Sequence, residues 1–261
     1  MKGLCSRLCC ALALSLLTAG AMAQGRLIAV DSSRALYEID MATGAKTSIG
    51  VVSANAGTTG GLAYDRNNDI IYVTSTSNDS VYTLDLTTGT ATLIGAYGDA
   101  AVVMHGLEWD ETTNTLYGES SHNNGLYNIS IATGTATLIG TSGLTSFSNL
   151  VHDSAADVMY LTNSGTDSFY TVNRATGATT LIGPLGGPTN PNGLAYNWDN
   201  GLVYLVDNST DNLYTIDTAT GQATLIGSTG SGNLLGLMYI PEPGTLVLAG
   251  LGLALALRRR A

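Results

Sequence analysis

Five times the sequence returns to one phrase: YEIDMATGAKTSIG at Tyr37–Gly50, YTLDLTTGTATLIG from Tyr82, YNISIATGTATLIG from Tyr127, YTVNRATGATTLIG from Tyr170 and YTIDTATGQATLIG from Tyr214. Its Ile-Gly pairs stand at 49, 94, 139, 182 and 226, which are 45, 45, 43 and 44 residues apart. A period of about 40 to 50 residues is that of propeller blades. Within each copy apolar and polar residues alternate before and after a Thr-Gly, as at Tyr214 and Ile216 and then Ala223 and Leu225. That pattern predicts two strands joined by a tight turn. The turn glycines (Gly44, Gly89, Gly134, Gly177, Gly221) fit the positive-φ place of a short hairpin loop, and five equal copies make them architecture, not a phosphate cradle.

Two further strands complete each unit. Gly61-Leu62-Ala63-Tyr64 is echoed by Gly106-Leu107-Glu108-Trp109, Asn149-Leu150-Val151-His152, Gly193-Leu194-Ala195-Tyr196 and Gly236-Leu237-Met238-Tyr239. Ile71-Tyr72-Val73 is echoed by Leu116-Tyr117-Gly118, Met159-Tyr160-Leu161, Val203-Tyr204-Leu205 and, less closely, Leu27-Ile28-Ala29. The order is four antiparallel strands, A to D, per blade. The first repeat begins at strand B and a fifth strand A is left over before Pro241, so the two fragments make one blade and leave no terminal edge exposed. The expected fold is all-β: a five-bladed β-propeller over residues 24–240 whose first blade is closed by the C-terminal strand. The blades loosely resemble the YVTN-type repeats of surface-layer proteins, as in Ile71-Tyr72-Val73-Thr74 and Tyr160-Leu161-Thr162-Asn163.

Both ends read as addresses. Lys2 and Arg7, the apolar run Cys9 to Leu17, and Ala21-Met22-Ala23 before Gln24 predict a secretory signal peptide over residues 1–23, cut between Ala23 and Gln24. The partners this implies are the Sec translocon and signal peptidase. All three cysteines (Cys5, Cys9, Cys10) lie inside it, so the mature chain has neither disulfide nor thiol ligand. At the other end Pro241-Glu242-Pro243 precedes 14 apolar residues, Gly244 to Leu257, and then Arg258, Arg259 and Arg260. As a helix the run spans roughly 21 Å, short of the roughly 30 Å of a hydrocarbon core. The arginines hold its end in the cytoplasm and leave the body outside. Tripeptide, short apolar helix and arginine cluster resemble the PEP-CTERM sorting signal of Gram-negative bacteria that make exopolysaccharide. The resemblance, confined to residues 241–261, implies an exosortase that removes the tail after a transient inner-membrane tether, and a final place at the cell surface or in the extracellular matrix.

Between the addresses lie 217 residues with five basic and nineteen acidic side chains, a net charge of −14. Such a field repels phosphate backbones and argues against nucleic acid as a partner. Propeller geometry puts the A–B and C–D turns on one face and the B–C and D–A loops on the other. The first set is monotonous (YDRNNDI, WDETTNT, HDSAADV, NWDNGLV); the second varies, from VVSANAGTTG after Gly50 to PLGGPTNPNG after Gly183. Variable loops on a repeated scaffold are where binding resides. The last strand A runs towards the monotonous side, so the sorting tail leaves there and the variable face points away from the membrane.

Blade 3 carries the candidate chemistry. It has Glu108 where other blades have Ala63, Val151, Ala195 and Met238, Glu119 where they have Val30, Thr74, Thr162 and Val206, and two of the three histidines, His105 and His122. With Glu108 opposite Tyr117 and Glu119 opposite Gly106, both acids share a side, and two carboxylates with two imidazoles form an acid/base or divalent-cation candidate. The first positions of strand A (Gly60, His105, Ser148, Asn192, Leu235) lack the paired carboxylates of glycoside hydrolysis. His152 reads as a core substitute for the aromatic residue of other blades. Asp79, Asn124, Asp167 and Asp211, one per B–C loop, read as turn residues bonding their own backbone and not as shared calcium ligands. No residues are assigned to a metal or a cofactor. Two function classes follow: a non-catalytic surface or matrix protein presenting its ring to extracellular polysaccharide or a surface protein, or a secreted glycan-active hydrolase or lyase using the blade 3 acids. The evenness of the repeats favours the first.

Overall fold

A computed structural model describes residues 25–146 and 148–242. The signal peptide with its cleavage site, Pro243 and the arginine cluster lie outside the described residues. Within them are twenty strands in five four-stranded antiparallel sheets. Blade 1 holds β1 (Arg26–Asp31), β2 (Ala35–Ile39) and β3 (Lys46–Val51). Blade 2 is β4 (Thr59–Asp65), β5 (Ile70–Ser75), β6 (Ser80–Asp85) and β7 (Thr90–Ala96); blade 3 is β8 (Met104–Asp110), β9 (Thr115–Ser120), β10 (Gly125–Ile129) and β11 (Ala136–Thr141). Blade 4 is β12 (Ser148–Asp153), β13 (Val158–Asn163), β14 (Ser168–Val172) and β15 (Thr179–Pro184). Blade 5 is β16 (Pro191–Asn197), β17 (Leu202–Asp207), β18 (Asn212–Ile216) and β19 (Ala223–Ser228).

The last strand, β20 (Leu234–Ile240), joins blade 1 as its innermost member, pairing Arg26 with Ile240, Ile28 with Met238 and Val30 with Gly236. Closure by the C-terminal strand is thus as the leftover strand predicts. The five A strands, β4, β8, β12, β16 and β20, pack side by side in that order and return from β20 to β4 around the centre. The core is divided among the seams between blades. Ile28 and Val30 meet Leu62 and Val73, for example, and Tyr117 and Leu126 meet Leu150 and Leu161. Tyr72 and Tyr117 belong to these seams, 2% and 7% exposed, so the strand tyrosines are packing residues.

The repeated phrase has a local cause at each end. The Thr-Gly glycines sit at φ 73 to 79, and the turn is capped from its start, as where Asp85 Oδ1 accepts the Thr87 N–H at 2.8 Å. The Ile-Gly pair is a bulge in strand D: Leu36 faces Gly50 and Tyr37 faces Ser48, so Ile49 is the extra residue, and the other four blades shift register at the same place. In blades 2 to 5 its glycine is required by the next blade. A side-chain carbon at Gly95 would fall 1.9 Å from the Thr133 carbonyl oxygen, at Gly140 2.0 Å from that of Thr176, and at Gly227 2.1 Å from that of Thr43. The Ile-Gly pairs of blades 2 to 5 therefore receive the following blade's Thr-Gly turn, whereas at blade 1 the turn glycine Gly89 abuts the Val51 carbonyl and a side-chain carbon at Gly50 would meet nothing within 4 Å.

Asp79, Asn124, Asp167 and Asp211 occupy left-handed positions at φ 46 to 54. They are turn residues, though the bonds they supply are main-chain: their carbonyls accept the N–H groups of Tyr97, Ser142, Leu185 and Thr229 at 2.8 to 2.9 Å. Side-chain capping of the B–C turns comes instead from residues such as Asp31, whose Oδ1 accepts the N–H groups of Ser33 and Ala35 at 2.9 Å.

Candidate functional site

The register of blade 3 places Glu108 opposite Tyr117 and Glu119 opposite Gly106. Depth then separates the two acids. Glu108, half-buried, lines the central channel with Ala63, Ala195 and Met238, and its carboxylate accepts the His152 backbone N–H from blade 4. Burial pushes its pKa well above the usual carboxylate range, against that hydrogen bond and with help from Asp110 and Glu111. Glu119 is 0% exposed in the seam to blade 4, and neither of its oxygens has a hydrogen-bond partner among the described residues. Burial alone pushes its pKa well up. Its counterpart in blade 2 shows what the position does: Thr74 Oγ1 accepts from the Gly61 N–H at 2.7 Å and donates to the Met104 carbonyl at 3.0 Å, tying blade 2 to blade 3.

The histidines lie elsewhere again. His105 and His122 line a recess of about 280 Å³ on the variable face together with Ser121 and Ser146, and this recess is lined by neither glutamate. His105 Nδ1 is 2.9 Å from Ser121 Oγ. Burial depresses the His105 pKa to about 4, a hydrogen bond to the Val103 backbone opposes the shift, and the neighbouring His122 adds to it. The structure thus brings the two imidazoles together, places Glu108 in the channel and seals Glu119 between blades.

The channel itself is closed on the monotonous face. Trp198 lies over its mouth, with ring centroids 6.3 Å from Tyr64 in blade 2 and 5.9 Å from Tyr239 in blade 1, and Arg66 sits 5.3 Å above the indole. The remaining space beside Glu108 is about 10 Å³, about the least that holds a single water. Nothing in the repeat singles out Trp198, which sits in the A–B turn of blade 5.

A second group that sequence reasoning missed lies between blades 3 and 4 on the same face. His152, 2% exposed, takes the aromatic place as expected, and its Nε2 lies 3.2 Å from Asp157 Oδ1. Tyr64 makes the same reach in blade 2, donating to Asp69 Oδ1 at 2.9 Å, so the five-residue spacing was the available signal. Around His152 stand Asp110, with Oδ1 3.6 Å from Nδ1, and Arg174, which bonds Asp110 and also donates from Nη2 to Asp157 Oδ1 at 2.9 Å. Thr112 Oγ1 bonds both aspartates, at 2.7 and 2.9 Å. Burial raises the Asp110 pKa, but hydrogen bonds from Thr112 and Arg174 and the nearby His152 outweigh it and bring it down to about 2. Ligand atoms of Asp110, His152 and Asp157 come within 4.8 Å of one another. One ion does not fit them as arranged, since the ring turns opposite nitrogens to the two aspartates and Arg174 already fills the space between the carboxylates. The group is an ionic lock between blades.

At the end of β20 the chain continues directly into Pro241 and Glu242 on this closed face. Residues 240–260 match the PEP-CTERM protein-sorting motif. The chain carries a PEP-CTERM sorting signal. That signal indicates export with a transient membrane-associated step, and it implies an exosortase as the processing partner. No curated protein matches the sequence significantly. Among solved structures the PEP-CTERM chain is similar to a chain of the nidogen/laminin complex, at 14% identity and TM-score 0.59 over 83% of this chain and 98% of that one. It is also similar to a structural-genomics protein of unknown function from Bacteroides thetaiotaomicron VPI-5482 (17% identity, TM-score 0.59, 85% of this chain and 66% of that one). A third is virginiamycin B lyase from Staphylococcus aureus (13% identity, TM-score 0.52, 82% and 73%). At these identities the likeness is one of fold alone.

Proposed function

We propose that this PEP-CTERM protein is a non-catalytic propeller of the cell surface or extracellular matrix of an exopolysaccharide-producing Gram-negative bacterium, binding or scaffolding through its variable loops. The observation that carries the reading is directional: β20 delivers the sorting tail from the face closed by Trp198, so the B–C and D–A loops point away from the membrane while the tether lasts. The blade 3 acids give the enzymatic alternative less support, because Glu119 is sealed in a seam and Glu108 faces a channel with room for about one water. A glycosidase or lyase needs both groups at one solvent-open bond.

The test is a binding assay of residues 24–242 on the host's own exopolymer, with Glu108→Gln/Glu119→Gln alongside and the polymer's chain length followed. Binding without shortening, equal in the double variant, is the expected result. Shortening that the double variant abolishes would make the protein an enzyme. Absence of binding would move the partner from polysaccharide to a surface protein.

A further inference from the structure

Four blades close the tail face with a four-residue A–B turn, and blade 1 has none, because its A and B strands are the two ends of the body. The consequence is a cleft. In blade 3 the A–B turn leans on blade 4, where Thr112 and Asp110 reach Asp157 and Arg174, and only about 360 Å³ of space is left against that surface. Over the corresponding surface of blade 2, from Asp69 and Ile71 through Leu84 to the C–D turn, no such turn lies among the described residues. A cleft of about 830 Å³ opens there, bounded on the blade 1 side by Arg26 and Ile240. Its wall mixes half-buried apolar side chains (Ile70, Leu86, Ile240), with Ile71 and Leu84 buried behind them, and exposed threonines of the C–D turn and strand D (Thr88, Thr92).

Ile240 is also the residue from which the sorting tail departs. An extended chain advances at most about 3.6 Å per residue, so the three residues after Ile240 can reach at most about 11 Å. An enzyme that grips Pro241-Glu242-Pro243 therefore has to touch the body around Ile240. On the inner side that rim is filled by Tyr239, bonded to Asp199, and by Trp198. The cleft is the side left open. We infer that the vacant A–B turn of blade 1 is the seat for an extracytoplasmic loop of the tail-processing exosortase, which packs against blade 2 as the turns of the other blades pack against their neighbours. The loop that fits is a short turn with a polar tip, for the threonines, and an apolar flank, for the half-buried Leu86 and Ile70. The inference rests on the tail being removed as the motif implies and is independent of what the variable face binds.

The experiment follows tail removal from the full-length chain, by its mass shift, in cells that carry the cognate exosortase. Thr88→Trp/Thr92→Arg obstructs the cleft with exposed substitutions, and Thr133→Trp/Thr137→Arg makes the same change at the matching places of blade 3. The melting temperature of each purified body checks that the ring is intact. A third chain adds a six-residue Gly-Ser linker between Ile240 and Pro241 to the cleft variant. The expected result is removal slowed by about tenfold or more in the cleft variant, as for loss of a central contact. The blade 3 control should match the parent, and the linker should restore the rate by lifting the tripeptide clear of the body. Equal rates in the cleft variant and the parent, or equal slowing in the blade 3 control, would overturn the inference. A parent chain that keeps its tail would overturn the processing step itself and the inference with it, an outcome recognisable because every variant would then look alike.

Discussion

Glu119 stands where blades 2 and 4 have Thr74 and Thr162 and blades 1 and 5 have Val30 and Val206. The Thr74 hydroxyl ties two blades, the Thr162 hydroxyl is buried without a partner among the described residues, and a methyl fills the seam; a carboxyl with no partner does neither and loses its hydration. Its raised pKa fixes the sign of the pH effect. The native state binds the proton more tightly than the unfolded chain, so the contribution is fully present below the ordinary glutamate value near 4.5 and is lost as pH rises through the folded value. Glu119→Thr is expected to raise stability at neutral pH by about 1–3 kcal/mol, the typical penalty of an unsatisfied buried polar group, and to flatten the decline with pH. Urea unfolding of both proteins from pH 4 to 8 would check it. A threonine variant no more stable than the parent at pH 7 would mean that Glu119 has a partner supplied by solvent.

The unit that holds the ring is the contact between one blade's strand D and the next blade's C–D turn. Gly140 receives the Thr176 carbonyl of blade 4 so closely that a methyl group has no room. Gly140→Ala is expected to cost about 1–3 kcal/mol, as overpacking does, and calorimetry would show it as a lower melting temperature. Elements of this kind were legible in the sequence because they repeat: strand order, turn glycines, blade count and the register of Glu108 against Tyr117 all follow from a period of two within strands and about 44 between copies. The reason for the Ile-Gly glycine was not legible, since it lies in the following blade. Site depth was illegible for the same kind of reason. Side-chain alternation says that Glu108 and Glu119 share a side of the sheet, but only the ring decides that one side is channel near the axis and seam further out. Arg174 reaches Asp110 across 64 residues, and no local pattern announces such a pair.

For the whole molecule the decisive feature is that the two ends of the propeller body meet in blade 1. Arg26 pairs with Ile240, so the chain enters and leaves the ring side by side on the face opposite the variable loops, both ends held by the same closed blade. Sorting must then spare β20. That strand buries Leu234, Leu237, Met238 and Tyr239 at 1 to 3% exposure, each worth roughly 1.5–3 kcal/mol, which together is comparable to the roughly 5–15 kcal/mol net stability of a typical domain. The most direct test compares the unfolding of residues 24–242 with that of residues 24–233, a chain shortened by the closing strand and the two tail residues beyond it. A ring closed by β20 predicts one cooperative transition for the longer chain and its loss, with exposed apolar surface, for the shorter. Indistinguishable transitions would contradict the closure, and with it the placement of the tail opposite the variable face.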